Sequence, residues 1–186
     1  MTETKETDKR TIENQRVKKA IEEALFALLK KKRFSEITVS DIVRESGVAR
    51  ASYYRNFDSK EAIIESYMDR QRREVAHAIS FTESFNDIFS EEKLVAALEH
   101  YLRQRDDLLA LYDNGFGTFL QEDTNRFAEL CLGDMPHNSI ERYNLYFISG
   151  AMFNTTVQWL KGGAIESPRV MARAFLHLLS SNIASM

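Results

Sequence analysis

The sequence predicts an all-α protein, and two observations carry that prediction. Only two prolines and seven glycines occur among the 186 residues, so few positions would interrupt a helix. Apolar residues recur at intervals of three and four through most segments, which is the spacing of one face of an α-helix. We therefore expect a chain of amphipathic helices joined by short turns.

The first helix is predicted over Thr11–Lys32, after a polar segment, 1–9, that we expect to be frayed. Lysines lie near the C-terminal end of this helix, where positive charge complements the helix dipole. Its apolar residues form a single stripe, as expected for a helix with one buried face. The stripe consists of Val17, Ile21, Ala24, Leu25, Leu28 and Leu29.

Two short helices should follow, separated by a tight turn. Thr38 and Asp41 have the spacing of a capping box, which predicts that a helix begins after Thr38. Gly47 lies where the chain must turn sharply, and glycine accepts the left-handed backbone of such a turn. The next helix is predicted over 50–56. Two short helices joined in this way form a helix-turn-helix, and in DNA-binding proteins the second of them enters the major groove.

A fourth helix, predicted over 59–80 with Ser59 as its cap, should connect an N-terminal domain to a larger C-terminal one. The remaining helices are predicted over 91–104, 106–112, 115–132, 139–161 and from Pro168 onward. Gly162 and Gly163, followed by Ser167 and Pro168, mark the end of one helix and the start of the next.

The composition favours a protein of the reduced cytoplasm. The single cysteine, Cys131, has no partner for an intramolecular disulfide, and no apolar N-terminal segment predicts a secretion signal. No run of residues approaches the roughly 20 apolar positions of a membrane helix. We therefore expect a soluble, cytoplasmic protein without a membrane partner.

The charge is distributed unevenly along the chain. The formal net charge is −3, which argues against a general nucleic-acid binder. Through Ser66, however, 14 lysines and arginines face 12 acidic residues, whereas the remainder has 11 against 16. The N-terminal third is therefore the part suited to approach a phosphate backbone, although a solvated surface of mixed charge explains the asymmetry equally well.

The stretch "FSEITVSDIVRESGVARASYYRNFDSKEAII" resembles the DNA-binding domain of the TetR family of bacterial transcriptional regulators (TetR/AcrR-like). The resemblance is carried by the order T-V-x-D-I, G-V, Y-R-x-F and x-K-E. It implies a helix-turn-helix DNA-binding domain at 1–58 and a C-terminal helical domain for ligand binding, regulation and dimerisation at 59–186. It also implies a homodimer, a palindromic operator of double-stranded DNA, repression and a small-molecule effector.

The same resemblance assigns residues to DNA. Arg50 would read guanine, Tyr54 and Lys60 would hold phosphates, and Tyr53 would place its ring in the core with its hydroxyl near DNA. Thr38 and Tyr53 also have purely structural interpretations, as a cap and as a core residue. The full predicted set is Thr38, Arg50, Ala51, Ser52, Tyr53, Tyr54, Asn56 and Lys60.

Two further surfaces are implied in the C-terminal domain. A ligand pocket would be lined by Tyr112, Phe116, Phe119, Phe127, Tyr143 and Phe147. A dimer interface would include Phe153, Trp159, Met171, Phe175 and Leu178. Aromatic residues at helical spacing are also typical of an ordinary core, so packing within one subunit is the alternative for both sets.

Other chemistry finds little support in the sequence. It contains no HExxH motif, no glycine-rich phosphate loop and no paired-cysteine metal site, so we predict neither an enzyme nor a cofactor or metal. The alternative function is a TetR-like protein that acts through a protein partner, as a coactivator or a cell-division regulator, instead of responding to a small molecule. That alternative predicts an exposed apolar patch outside the two-fold interface.

Overall fold

The computed structural model describes residues 2–79, 89–132 and 139–183. Every regular element in these ranges is helical, as the sequence predicts. The chain divides into two compact units, Met1–Arg70 and Gln71–Met186. No helix within the described ranges is long and apolar enough to cross a membrane.

The first unit is formed by the N-terminal helices. These are α1 (Thr2–Leu29), α2 (Val39–Ser46), α3 (Arg50–Asn56) and the first part of α4 (Lys60–Ala78). A single 3-10 turn, Phe34–Glu36, interrupts the connection between α1 and α2. Helix α1 begins before the predicted Thr11, since nothing in the polar segment breaks a helix, and it ends before the predicted Lys32.

The core of the first unit forms where α1, α2, α3 and α4 bury their apolar faces. Its most fully buried side chains are Ile21, Leu25, Ile37, Ile42, Tyr53, Ile63, Ile64 and Tyr67. Burying each such side chain contributes on the order of 1.5–3 kcal/mol. Phe57 closes the same core at the end of α3, as its position in the sequence predicts.

A buried carboxylate also ties α1 to α4 within the first unit. Glu22 accepts hydrogen bonds from Arg70 Nη2 at 2.7 Å and from Ser66 Oγ at 3.4 Å. Because the Glu22 side chain is almost completely removed from water, both donors are needed to compensate its lost hydration.

The second unit contains the rest of α4 and five further helices in the described ranges. They are α5 (Glu91–Arg103), α6 (Arg105–Leu111), α7 (Gly117–Leu132), α8 (Ile140–Lys161) and α9 (Pro168–Ile183). An irregular turn, Tyr112–Phe116, joins α6 to α7, and Gly115 adopts a φ of 91° there. Ser167 caps α9, and Pro168 occupies its first position, both as predicted.

Helix α9 packs along α5, and the end of α8 completes the core between them. The buried members of this core are Leu94, Leu98, Trp159, Leu160, Ala172 and Phe175. The Trp159 indole donates its Nε1–H to the Glu166 carbonyl at 3.0 Å, which fixes the turn that leads into α9.

Polar contacts join the other helices of the second unit. Arg72 on α4 pairs with the buried Asp123 on α7. On α8, Arg142 donates to Glu129 of α7 at 2.8 Å and to its own neighbour Tyr146 at 2.7 Å. The contacts hold α7 against α8 through hydrogen bonds as well as apolar packing.

Candidate DNA-binding surface

The N-terminus of α2 is closed by a complete capping box. The Asp41 amide donates to Thr38 Oγ1 at 3.1 Å, and the Thr38 amide donates to Asp41 Oδ2 at 3.0 Å. The Thr38 hydroxyl also lies 2.8 Å from the same carboxylate oxygen. Thr38 is therefore the cap that its sequence position predicts, and a phosphate contact by its hydroxyl would require rotation away from Asp41.

Asp41 is the electrostatic centre of this capping region. Its carboxylate accepts from Lys32 Nζ at 2.7 Å and from Arg44 Nη2 at 2.6 Å. The Lys32 hydrogen bond, followed by those from Thr38, holds the pKa of Asp41 well below its usual range. The carboxylate thus stays ionised and ties α2 to the connection that follows α1.

The turn between α2 and α3 has the geometry predicted for it. Gly47 adopts the left-handed conformation with a φ of 68°, and its amide donates to the Val43 carbonyl. Ala49 occupies the cap position of α3 and makes no side-chain capping bond. Helix α3 therefore begins without the hydroxyl or carboxylate cap that normally stabilises a helix start.

Arg50 is held in place by residues on both sides of this turn. Its Nη1 donates to Ser40 Oγ at 3.0 Å, and its Nη2 donates to Tyr54 Oη at 3.1 Å. The guanidinium carbon also lies 5.4 Å from the centre of the Tyr54 ring. Arg50 remains exposed, so its guanidinium is oriented by protein contacts while other N–H groups stay accessible.

Ser40 is a member of this surface that the sequence does not predict. It occupies an exposed position in the first turn of α2, and its contact with Arg50 spans ten residues of sequence. The only local signal is a small polar residue two positions after the cap. That signal does not reveal a partner on another helix.

The remaining predicted residues of α3 divide between exposed and half-buried positions. Ala51 is exposed, and Tyr54 is 48 % exposed. Ser52 and Asn56 are half-buried, and the Asn56 amide donates to the Ser52 carbonyl at 2.8 Å. The exposed face of α3 therefore presents a small side chain between an arginine and a tyrosine.

Tyr53 lies elsewhere than its predicted DNA role requires. It is 0 % exposed, and its hydroxyl is buried without a hydrogen-bond partner among the described residues. Burial raises the pKa of Tyr53 to about 12. Its ring packs in the core as expected, but its hydroxyl is inside the unit instead of near the DNA-facing surface, because the ring is drawn fully into the core beside Phe57.

Lys60 lies at the start of α4 and bonds to the connection between α1 and α2. Its ammonium donates to the Phe34 carbonyl at 2.6 Å and to the Ile37 carbonyl at 2.9 Å. The same nitrogen lies 4.3 Å from the centre of the Phe34 ring. Two of the three ammonium N–H groups of Lys60 therefore donate to backbone carbonyls of the same unit.

The aromatic residues predicted to line a pocket do not share one environment. Tyr143 and Phe147 project from α8 with 60 % and 71 % of their surface exposed, so in this structure neither faces an interior pocket. Phe116 and Phe119 form a ring pair with centroids 6.4 Å apart, and Tyr112 contacts Phe153 at the same separation. Phe127 is half-buried on α7, like the other four residues of these pairs.

The predicted dimer residues are divided in a similar way. Trp159 and Phe175 are buried in the core of their own unit, and the half-buried Met171 packs against that core, so these three serve packing within one subunit. Phe153 is half-buried against Tyr112. Leu178 is the one predicted interface residue that is exposed.

Residues 21–67 match the family described as "Bacterial regulatory proteins, tetR family". The chain is also similar to an uncharacterised HTH-type transcriptional regulator, YxbF, of Bacillus subtilis (strain 168). The two are 24 % identical over 191 residues, which cover 94 % of this chain and 47 % of YxbF. The chain therefore spans about half the length of that relative.

A second relative matches a shorter part of the chain with higher identity. The HTH-type transcriptional regulator EthR of Mycolicibacterium smegmatis (strain ATCC 700084 / mc(2)155) is 43 % identical over 42 residues. These residues cover 23 % of this chain and 19 % of EthR.

A TetR transcriptional regulator from Streptococcus agalactiae 2603V has the same fold. Its structure aligns with a TM-score of 0.66 and 21 % identity, covering 92 % of this chain and 98 % of the other. The family match contains the capped α2, the Gly47 turn and α3. Residues 21–67 therefore form a helix-turn-helix DNA-binding domain like that of the TetR family of bacterial transcriptional regulators.

Proposed function

We propose that this chain is a ligand-responsive repressor that binds a palindromic operator as a homodimer and reads it with α3. The observation that supports this most directly is Arg50, exposed at the start of α3 and oriented by Ser40 and Tyr54. An arginine presented in this way suits bidentate hydrogen bonding to guanine O6 and N7 in the major groove.

The proposed contacts divide between bases and phosphates. Arg50 reads a base, Ala51 permits close approach, and the Tyr54 hydroxyl donates to a phosphate while it accepts from Arg50. Tyr53 supports the surface from within the core. The proposed DNA-facing set is then Thr38, Ser40, Arg50, Ala51, Ser52, Tyr54 and Asn56.

The proposal of a homodimer is supported by two exposed apolar stripes in the second unit. On α8, Ile140, Tyr143 and Phe147 are exposed and share one helical face. On α9, the exposed stripe is formed by Val170, Ala174 and Leu178. Spacings of three and four residues place each set on one side of its helix. A two-fold dimer that buries both stripes would also present two copies of α3 to the two half-sites of a palindrome.

The proposal of a small-molecule effector is supported by buried polar groups in the second unit. Gln71 pairs through Oε1 with His100 Nε2 at 2.6 Å, and both side chains are buried. The Gln71 Nε2 atom has no partner among the described residues. Because a buried amide without an acceptor is costly, a ligand that offers an acceptor at this point would be stabilised there.

Selection from a random pool of duplex DNA tests the proposed DNA reading. The purified protein should enrich an inverted repeat, and affinity for the winning duplex should fall steeply with salt, with a slope corresponding to about 6–10 phosphates. Failure to enrich any motif, with only weak salt-sensitive binding, would reject operator recognition.

The exposed stripe on α8 also supports the alternative function, a regulator that acts through a protein partner. The α8 stripe, with Phe147 71 % exposed, suits a different protein as well as a second copy of this chain. Sedimentation equilibrium of the pure protein separates the two. A dimer that is lost on Phe147→Asp assigns the stripe to self-association, whereas a monomer leaves it for another partner.

A further inference from the structure

We infer that Lys60 acts mainly as an internal clamp that positions the start of α2, and not as a direct phosphate ligand. The clamp acts on the α1–α2 connection, which is the segment 30–38. Its consequences for DNA rest on the proposed function, whereas its consequences for folding do not.

The contacts of Lys60 span distant parts of the first unit. It lies 26 residues beyond Phe34 and 23 residues beyond Ile37, yet its ammonium is within 2.9 Å of both carbonyl oxygens. Both bonds are charge-assisted and of short or ordinary length. The position of Nζ over the Phe34 ring adds a cation–π contact.

The Ile37 carbonyl lies where a partner is needed, whereas the Phe34 carbonyl also accepts from the Ile37 amide at 3.1 Å. Ile37 is buried, and its carbonyl precedes the Thr38 cap, so it lies outside the hydrogen bonds within α2. A buried carbonyl without a partner costs free energy comparable to a lost hydrogen bond. Lys60 supplies that partner from the first turn of α4.

A second lysine, which lies within this connection, ties it to the start of α2. Lys32 donates to the Glu36 carbonyl at 3.3 Å and to Asp41 of the capping box at 2.7 Å. Together, Lys32 and Lys60 fix the backbone that leads into Thr38. Ser40, which orients Arg50, lies two residues farther along, so the clamp sets the position of the base-reading arginine.

A direct phosphate contact would use Lys60 differently. Its ammonium would have to face solvent with its N–H bonds toward DNA, whereas two of the three point to Phe34 and Ile37. The side chain is also half-buried. The geometry therefore favours a role that continues when no DNA is bound.

Two substitutions separate the roles in the absence of DNA. Lys60→Met keeps most of the volume and removes the charge, while Lys60→Arg keeps the charge but replaces the compact ammonium with a planar fork. Both should raise the equilibrium constant for unfolding in urea, by about 10- to 100-fold for Lys60→Met. Arg55→Met, which removes an exposed charge from α3, is the matched control and should leave it nearly unchanged.

The operator titration supplies the readout that separates positioning from direct phosphate binding. We expect both Lys60 variants to bind the selected duplex more weakly than the unsubstituted protein, with the slope of log K against log[salt] unchanged. A phosphate ligand predicts the opposite: Lys60→Met lowers the slope by about 0.9 for each phosphate that is no longer neutralised, and Lys60→Arg keeps the affinity.

The inference is overturned if Lys60→Met unfolds at the same urea concentration as the unsubstituted protein. It is also overturned if the salt slope falls in Lys60→Met and is kept in Lys60→Arg. Should the unsubstituted protein select no duplex, the proposed function fails, and the unfolding comparison still decides whether Lys60 is a clamp.

Discussion

At the scale of single residues, the least expected feature is the buried hydroxyl of Tyr53. Replacing Tyr53 by phenylalanine removes a polar atom that has no partner among the described residues and leaves the ring in the core. We expect Tyr53→Phe to leave stability unchanged or to raise it by up to about 1 kcal/mol. Urea unfolding measures this, and operator affinity should not change. A clear loss of operator affinity in Tyr53→Phe would show that the hydroxyl contacts DNA.

The same tyrosine predicts a dependence on alkaline pH. Its pKa rises from 10.0 in the unfolded chain to about 12 in the folded protein, because burial disfavours the phenolate. The unfolded state therefore loses its proton first, and stability falls as the pH rises from 10.0 toward 12. Tyr53→Phe lacks this loss, so its stability relative to the unsubstituted protein should grow over that window. If the difference in unfolding free energy between the two proteins stays constant from pH 10.0 to about 12, Tyr53 is not the group that causes the loss.

Substitutions of the two residues that orient Arg50, Ser40 and Tyr54, should have different effects on DNA binding. Ser40→Ala removes one hydrogen bond that orients Arg50, so it should relax base discrimination without much change in non-specific binding. Tyr54→Phe should weaken binding to all duplexes, since it also removes the proposed phosphate donor. Binding to the selected duplex and to single-base variants measures both. A uniform loss for Ser40→Ala would show that its hydroxyl contacts the DNA backbone itself.

At the scale of secondary structure, the capping box of α2 makes the stability of the protein depend on pH in the acid range. The pKa of Asp41 is lowered in the folded protein, so its contribution is complete above the unfolded value near 3.8 and is lost as the pH falls further. Asp41→Asn should therefore destabilise the protein at neutral pH and less so at pH about 3. Urea unfolding at both pH values tests this, and an equal loss at the two would contradict it.

Local signals are sufficient to predict most helix ends. Thr38, Gly47 and Ser167 act within a few residues of their own positions, and each has its expected role in the structure. The contacts of Ser40 and Lys60 are not predictable in this way, because their partners lie on other elements. A sequence pattern describes one helix face, whereas these contacts depend on how the helices pack.

Across the whole chain, the all-α class and the TetR-like helix-turn-helix domain are predictable from the sequence, but which aromatic residues would face a second copy is not. The apolar stripe on α9 is wide enough to pack against two neighbouring helices. The sequence does not show which part of it packs within its own subunit. Phe175 faces the core shared with Trp159, while Leu178 faces outward. The family resemblance implies a contact with a second copy for both, with packing within one subunit as the alternative, and the sequence does not decide between the two.

The exposed stripes give a prediction about assembly. Phe147→Asp places a charge in the middle of the proposed interface, so it should convert the dimer to monomers and weaken operator binding. Ile165→Asp is the matched control, since Ile165 is an exposed apolar residue between α8 and α9 and outside both stripes. Sedimentation equilibrium distinguishes them. Dimers that persist in Phe147→Asp would exclude this face.

Sequence reading by α3 is tested by comparing the unsubstituted protein with Arg50→Ala on the selected duplex and on duplexes changed at one base pair in each half-site. If Arg50 reads a guanine, the unsubstituted protein should discriminate against one such change by about 1–3 kcal/mol per half-site, and Arg50→Ala should lose that discrimination at the same position only. An Arg50→Ala protein that binds every duplex more weakly by one common factor would show that α3 does not read sequence through this residue.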